Sequence, residues 1–157
     1  IVEFFDPACE TCRAFYPVVK ELMQQYPTEV RLVIRYAPFH QGSEQVVKLL
    51  ESARRQDKYL AVLEAVLAAQ PQWADHGNPN LELAYKAAEQ AGLDIQRARA
   101  DIAAPALDAV VLQDVRDLTD LKVEKTPTFF VNGRPLSSFG HKQLADLVEQ
   151  EVSKTKK

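Results

Sequence analysis

Two cysteines, Cys9 and Cys12, stand between a short apolar segment and an amphipathic one, and this arrangement constrains the fold more than any other feature. The opening run Ile1-Val2-Glu3-Phe4-Phe5 is rich in β-branched and aromatic residues, which is typical of a strand covered on both faces. After the break at Asp6-Pro7-Ala8, apolar residues recur at helical spacing from Glu10 to about Tyr26. The sequence therefore predicts a strand that leads through the cysteine pair into a helix.

The position of the two cysteines indicates redox chemistry. They are the only cysteines in the 157 residues, and a bridge between them closes almost no loop, so it would add little stability. Unpaired N–H groups and the dipole at the start of a helix favour a negative charge on Cys9, and the thiolate is the attacking species. Cys12 lies one turn further on, where it can form a disulfide with Cys9 and resolve a mixed disulfide.

Other uses of such a pair are less well supported by the sequence. A structural zinc site needs four ligands, but there is no second cysteine pair, and His40, His76 and His141 lie far apart. Covalent haem attachment needs His directly after the second cysteine, where this chain has Arg13. A pair of buried structural cysteines remains an alternative.

Length and charge narrow the class of protein further. The chain is long enough for one domain with a real core, and its net charge of −3 gives no electrostatic case for binding nucleic acid. No apolar run approaches the roughly 18–20 residues needed to cross a bilayer. Because the chain opens with Ile1 inside a predicted strand, we expect that a preceding segment, which could include a targeting signal, is missing from this sequence.

After the first strand and helix, the sequence predicts a second strand, a helical middle and a final ββα segment. Val30 to Tyr36 is predicted as a second strand, parallel to the first with a right-handed crossover. In the helical middle, Ser43 and Asp94 are predicted as helix N-caps, and Pro71 to Asn80 as a loop. His40, Trp73 and His76 are placed in loops and given no role.

A hairpin is predicted near the C-terminus. A helix from Ala106 to Leu121 precedes a strand at Thr128-Phe129-Phe130-Val131, and Asn132-Gly133 is a strong hairpin-turn signal. The partner strand is predicted over Arg134 to Ser138, and an amphipathic helix follows. The predicted order is βαβ, a helical block, then ββα.

Two segments carry a resemblance to a known family. The run from Glu3 through Phe5-Asp6-Pro7-Ala8 to Cys12, together with Lys125-Thr126-Pro127-Thr128-Phe129-Phe130-Val131-Asn132-Gly133, resembles the DsbA-like branch of the thioredoxin superfamily. The resemblance covers essentially the whole chain. It implies a thioredoxin-like α/β fold with an all-helical insertion, in which 1–41 and 106–157 form the thioredoxin-like domain and 42–105 the insertion, within one compact unit.

The resemblance also implies roles for Thr126 and Pro127. Pro127 is expected to follow a cis peptide bond and to face the cysteine pair. Such a bond would turn the backbone of Thr126 towards the site, where its N–H and C=O could pair with an extended substrate segment. These two residues are therefore predicted to bind substrate.

Glu3 is the third catalytic candidate. An acid inside an apolar strand is unfavourable unless it is paired, hydrated or at an exposed edge. In related proteins a buried acid six residues before the first cysteine lies beneath the disulfide and relays the proton of the second cysteine, and Glu3 has this spacing from Cys9. The alternative is an edge strand that leaves Glu3 in water.

Glu10 and Thr11 are predicted to tune the redox pair. Many strongly oxidising relatives have proline or histidine between their cysteines, whereas Glu10 brings a like charge near Cys9. The expected result is a less depressed thiol pKa and a less oxidising couple. Alternatively, Glu10 is an ordinary residue of the first helical turn.

The leading hypothesis is a thiol–disulfide oxidoreductase that acts on protein thiols and disulfides, in a direction that the sequence leaves open. It would need no cofactor beyond the Cys9–Cys12 disulfide and no metal. We expect a monomer in the periplasm or another extracytoplasmic space, recycled by a redox partner that could be membrane-bound. The rival hypothesis is a module that binds or delivers copper or another soft metal through the two thiolates.

Overall fold

The computed structural model describes residues 1–156, and these form a mixed four-stranded sheet with helices on both faces. The strands are β1 (Val2–Phe5), β2 (Val33–Tyr36), β3 (Thr128–Val131) and β4 (Arg134–Pro135). The helices are α1 (Glu10–Gln25), α2 (Ser43–Arg55), α3 (Tyr59–Ala68), α4 (Gln70–Trp73), α5 (Leu81–Gln90), α6 (Ile95–Ala103), α7 (Pro105–Asp120) and α8 (His141–Thr155).

Strand β1 lies inside the sheet, whose order is β2-β1-β3-β4. It runs parallel to β2 and antiparallel to β3, so that Glu3 lies opposite Ile34 on one side and Phe129 on the other. The predicted hairpin is confirmed between β3 and β4, where Asn132 and Gly133 have φ values of 49° and 79°. The predicted thioredoxin-like class of fold is therefore confirmed.

The cysteine pair lies where three parts of the core meet. Helices α1 and α8 cover one face of the sheet around Phe129, and α7 covers the other face around Phe4. A further apolar cluster runs from Phe5 and the two cysteines into α2, α3 and α5. We call α2–α6 the helical insertion. It shares this cluster with the sheet, and the division of the chain at residues 42 and 105 stays a prediction.

Two predicted strands are shorter than expected. Strand β2 begins at Val33 rather than Val30, because β1 offers only four residues for pairing and the Val30 N–H donates instead to the Tyr26 oxygen after α1 (3.0 Å). Strand β4 ends at Pro135 rather than Ser138. Pro135 pairs with Phe130 but has no N–H to continue a ladder.

Two predictions in the helical middle are wrong. Ser43 is the first residue of α2 and not its N-cap, which is Gly42 at a φ of 82°, because the Ser43 hydroxyl bonds to a buried carboxylate of another segment. Part of the predicted loop is the short helix α4, which ends at Trp73. Trp73 is fully buried, and its Nε1 donates to the Val66 oxygen (2.9 Å). By contrast, Asp94 caps α6 as predicted, accepting from the Arg97 N–H.

Candidate active site

Cys9 is the N-cap of α1, and Cys12 lies inside its first turn. The Cys9 backbone is extended (φ −85°, ψ 123°), and its Sγ accepts a hydrogen bond from the Cys12 backbone N–H at 3.4 Å. Cys12 is fully buried, and its Sγ accepts from the Asp6 N–H at 3.5 Å. The two cysteines are not joined in a disulfide in this structure. Strand β1 therefore leads to one thiol at the N-terminus of α1, and the other thiol is buried in the first turn of that helix.

The two thiols differ sharply in acidity. A hydrogen bond from the Cys12 thiol, and further ones from the Thr126 side chain and from the N–H groups of Cys12 and Thr11, lower the pKa of Cys9 to about 5, although partial burial opposes them. Burial, followed by the hydrogen bond to Cys9, raises the pKa of Cys12 far above its ordinary value. One sulfur is therefore an anion near neutral pH, while its neighbour keeps its proton.

The loop before β3 reaches the cysteine pair from the other half of the chain. The Thr126–Pro127 peptide bond is cis, and the Thr126 backbone oxygen lies 3.5 Å from the Cys9 Sγ. The Thr128 hydroxyl donates to the Lys125 oxygen at 2.6 Å and closes the loop locally. Residues 117 positions apart are thus brought together at the reactive sulfur.

A mainly apolar groove begins beside this loop. It encloses about 350 Å³ and is lined by Thr11, Thr126, Pro127, Leu136 and Phe139, among others. The Phe139 side chain is 56% exposed although it is large and apolar. An exposed apolar groove at the cysteine pair is suited to contact with unfolded or extended polypeptide.

Glu3 is buried in the middle of the sheet. It is only 4% exposed and lies on a strand that is paired on both sides, which rules out the edge-strand alternative. Among residues 1–156, no side chain or backbone group forms a hydrogen bond with its carboxyl group. Burial, with a smaller contribution from the charge of Cys9, raises the pKa of Glu3 to about 8. The structure therefore contains a buried acid that exchanges its proton near neutral pH.

Glu10 and Thr11 occupy different surroundings. The Glu10 carboxylate is largely exposed and lies 3.0 Å from Nε2 of His76. Thr11 lines the apolar groove, and its backbone N–H contributes to the low pKa of Cys9. The expectation that Glu10 makes the couple less oxidising stays a prediction.

Asp6 is a site residue that the sequence analysis did not single out. It is fully buried, and its Oδ1 accepts from the Ala8 N–H (2.9 Å) and the Ser43 hydroxyl (2.6 Å). Its Oδ2 accepts from the N–H groups of Phe39 (2.8 Å) and His40 (3.1 Å), and it lies 2.7 Å from His40 Nδ1. Only the contact with Ala8 had a local signal, since Asp before Pro commonly forms such a turn.

His40 and His76, which had no predicted role, contact each other between Asp6 and Glu10. The ring of His40, which contacts Asp6, lies 4.4 Å from the ring of His76, measured between centroids. His76 in turn contacts Glu10. His141, at the start of α8, instead packs edge-on against Phe15. No sequence spacing relates His40 to His76, so this contact was not predictable.

Fold and site together define a thioredoxin-like protein with a Cys-x-x-Cys pair at the start of its first helix. The family model described as "Thioredoxin" matches residues 1–150. A thioredoxin-like oxidoreductase from Silicibacter pomeroyi is similar, with 31% identity, a TM-score of 0.81 and coverage of 96% of this chain and 84% of that one. The chain therefore belongs to the thioredoxin family that this family model describes.

More distant structures share the fold. BdbD from Bacillus subtilis superposes with a TM-score of 0.84 at 18% identity and covers 97% of this chain and 86% of that protein. DsbA from Xylella fastidiosa superposes with a TM-score of 0.82 at 17% identity, covering 99% of this chain and 84% of that protein. These likenesses concern the fold, including the helical insertion between β2 and β3.

A second group of relatives consists of much longer proteins. The Na(+)/H(+) antiporter NhaA 3 of Salinispora tropica is 36% identical over 138 residues, which make up 85% of this chain and 20% of the antiporter. The antiporter NhaA of Herminiimonas arsenicoxydans is 30% identical over 136 residues. The chain thus spans about a fifth of the length of these curated relatives. Among residues 1–156, no helix combines the length and apolar composition that a bilayer crossing requires.

Proposed function

We propose that this protein exchanges a dithiol for a disulfide with protein substrates through Cys9 and Cys12. The observation that carries the proposal is the contrast between the two sulfurs, since the pKa of Cys9 is lowered to about 5 while Cys12 is buried and holds its proton. Only a thiolate attacks a disulfide, so the difference assigns the first attack to Cys9 and the resolving step to Cys12. No further cofactor is needed for this chemistry.

In the reducing direction, the Cys9 thiolate attacks a substrate disulfide, forms a mixed disulfide and releases one substrate thiolate. The Cys12 thiol then gives up its proton and attacks the Cys9 sulfur, which yields the Cys9–Cys12 disulfide and the second substrate thiolate. The same steps in reverse oxidise a substrate dithiol. The contact between Thr126 and Cys9 favours a substrate segment that runs beside this loop, with apolar side chains in the groove ending at Phe139.

Glu3 is proposed to accept the proton that Cys12 releases. It is buried, it interacts electrostatically with both cysteines, and its pKa of about 8 suits proton exchange near neutral pH. When Cys9 is held in a mixed disulfide its negative charge is gone, which removes one of the two causes of the raised Glu3 pKa. The pKa of Glu3 then falls, so a larger fraction of Glu3 is ionised and able to accept a proton at the stage when Cys12 must ionise.

The cellular setting is proposed from the relatives. Protein disulfides persist outside the cytosol, so we place this protein in the periplasm or another extracytoplasmic space. The similarity to a segment of membrane antiporters supports a position close to the membrane, where a redox partner could recycle the cysteine pair. A monomer suffices, because both cysteines, Glu3 and the groove come from one chain.

Two matched serine variants test this function. Cys9→Ser is expected to reduce turnover of a model protein disulfide to the uncatalysed rate, because the attacking sulfur is lost. Cys12→Ser is expected to accumulate a covalent mixed disulfide at Cys9, visible by mass spectrometry under non-reducing conditions. Turnover by both variants at the wild-type rate would overturn the proposal.

The same preparations separate the redox function from the rival metal-binding function. Native mass spectrometry with added Cu(I) detects a stable complex if the two thiolates hold a soft metal. A tight copper complex in a protein that has no exchange activity would favour a delivery module. Exchange activity that is lost in Cys9→Ser favours the oxidoreductase.

A further inference from the structure

Gln70, the first residue of α4, joins the helical insertion to the turn that carries Cys9. It is only 2% exposed, and its Nε2 donates to the backbone oxygens of Pro7 (2.8 Å) and Cys9 (3.0 Å). These partners lie 63 and 61 positions away in the sequence. Both hydrogens of one side-chain amide are therefore used on the backbone that surrounds the reactive cysteine.

The other end of the same amide is unsatisfied. Gln70 Oε1 is buried and has no hydrogen-bond partner among residues 1–156. An unpaired buried carbonyl oxygen is unfavourable, and an apolar side chain of equal length would avoid the penalty. Packing alone thus gives no reason for glutamine here, and the two bonds that the amide donates are the only compensation that the structure shows.

Those two hydrogen bonds hold the peptide group before Ala8 and the peptide group after Cys9. With the Pro7 and Cys9 oxygens directed at Gln70, the backbone between them cannot rotate freely, and Cys9 is held in its extended N-cap conformation (ψ 123°). This conformation aims the Cys9 Sγ at the Cys12 N–H. A change of backbone angle at Cys9 would carry the sulfur away from the donors that stabilise its anion.

We propose that Gln70 is a positioning residue of the redox site, by which the helical insertion holds the Cys9 turn in the geometry that stabilises the thiolate. The inference deepens the proposed function and rests on it. It assigns to the insertion an effect on the chemistry of the cysteine pair, in addition to its packing against the sheet. The effect passes through the backbone, and Gln70 itself touches neither sulfur in the structure.

The test compares Gln70→Met with Gln72→Met, a matched change at an exposed glutamine two residues later. The rate of Cys9 alkylation by iodoacetamide, followed against pH in the reduced protein, reports its thiolate fraction. We expect Gln70→Met to lower that fraction about tenfold at acidic pH, which corresponds to a pKa higher by about one unit. The equilibrium constant with glutathione should move in the less oxidising direction, and Gln72→Met should change neither quantity.

A purely structural role predicts a different pattern. In that case Gln70→Met would lower the urea midpoint while the alkylation profile of the folded protein stayed at the wild-type position, and the proposal would be wrong.

A measurement on the unmodified protein removes any dependence on how the variants fold. The side-chain amide protons of Gln70 should exchange with solvent much more slowly than those of Gln72 in NMR spectra. Equal exchange rates would show that the two bonds are absent and would refute the inference. Alkylation of Cys9 does not depend on turnover, so this inference can fail while the proposed function stands, and the serine variants test that function separately.

Discussion

Asp6 and Glu3 are buried carboxylic acids three residues apart on the same segment, and their surroundings are opposite. Asp6 follows β1 and receives five hydrogen-bond contacts from four residues, three of them at the start of α2 or in the loop before it. Glu3 lies inside β1, and no group in the described part of the chain donates to it. A fully paired acid serves to hold segments together, whereas an unpaired one is free to gain and lose a proton.

The difference suggests that the two acids have separate roles near the cysteine pair. Asp6 fixes the turn that leads to Cys9 against the loop after β2, while Glu3 provides the titratable group. If this is correct, changes at Asp6 should mainly lower the free energy of unfolding. Changes at Glu3 should mainly alter how that free energy depends on pH. The following predictions test that separation.

The largest effect is expected for Asp6→Ala. The change leaves the N–H groups of Ala8, Phe39 and His40 and the Ser43 hydroxyl without their acceptor inside the protein. Loss of one partner from such a buried charged cluster typically lowers the free energy of unfolding by about 3–5 kcal/mol. Urea denaturation at pH 7 measures it. Asp6→Asn, which keeps one acceptor oxygen, should lie between wild type and Asp6→Ala, and a wild-type midpoint for Asp6→Ala would refute the structural role.

Glu3→Gln is expected to change how stability depends on pH. Because the pKa of Glu3 is raised to about 8, the folded protein keeps a proton that the unfolded chain loses above about pH 4.5. The free energy of unfolding should therefore fall as the pH rises between these two values, by up to about 1.4 kcal/mol per pH unit from this group alone. Glu3→Gln should remove that decline.

The measurement is best made on the oxidised protein, because the Cys9 thiol titrates in the opposite sense. Its lowered pKa means that the folded state loses a proton before the unfolded state does, so its contribution to stability grows as the pH rises above about 5. In the disulfide form only burial raises the pKa of Glu3, so the decline in stability should end below pH 8. Glu21→Gln, a change at an exposed acid of α1, is the matched control and should leave the pH dependence unchanged. An unaltered slope in Glu3→Gln would show that the buried carboxyl is already ionised.

The contrast between the two acids also explains what the sequence could predict. Glu3 stood out because an acid within an apolar run is a local anomaly, and the cysteine spacing at a strand–helix junction is equally local. Apart from Ala8, the partners of Asp6 and Gln70 lie 33 to 63 residues away, and no short pattern connects them. The thioredoxin-like class of fold was predictable from element order and motifs, but these contacts depend on how the insertion packs.

Ser43 shows how a tertiary contact overrides a correct local rule. Serine before an amphipathic run favours an N-cap, and the sequence offered no reason to expect otherwise. The Asp6 carboxylate accepts the Ser43 hydroxyl at 2.6 Å, so the side chain is unavailable to the helix, and the cap position falls to Gly42. The helix itself begins within one residue of the predicted position.

His40→Ala should have a smaller effect than Asp6→Ala. It removes the contact between Nδ1 and Asp6 but leaves the backbone N–H of residue 40 in place. The His40 side chain is partly exposed, so we expect a loss of about 1–2 kcal/mol in the free energy of unfolding, measured in urea. His76→Ala, which removes the neighbouring ring without touching Asp6, should cost less than about 0.5 kcal/mol because its contact with Glu10 is exposed. If His40→Ala and His76→Ala lost equal free energy of unfolding, the contact between the two rings, and not the bond to Asp6, would be what stabilises the fold.

Apart from the His76→Ala control, the smallest loss in the free energy of unfolding is expected for Ser43→Ala, at about 1 kcal/mol. The loss of an N-cap has a similar magnitude, so the single variant does not separate the two roles. A double-mutant cycle does, because a hydroxyl that acts through Asp6 loses its value once Asp6 is gone. We expect Ser43→Ala to be neutral, or slightly stabilising, in the Asp6→Ala background, where the buried hydroxyl has no acceptor. An undiminished loss there would mean that Ser43 stabilises α2 by itself, and Asp6 would then hold the Cys9 turn without help from the insertion.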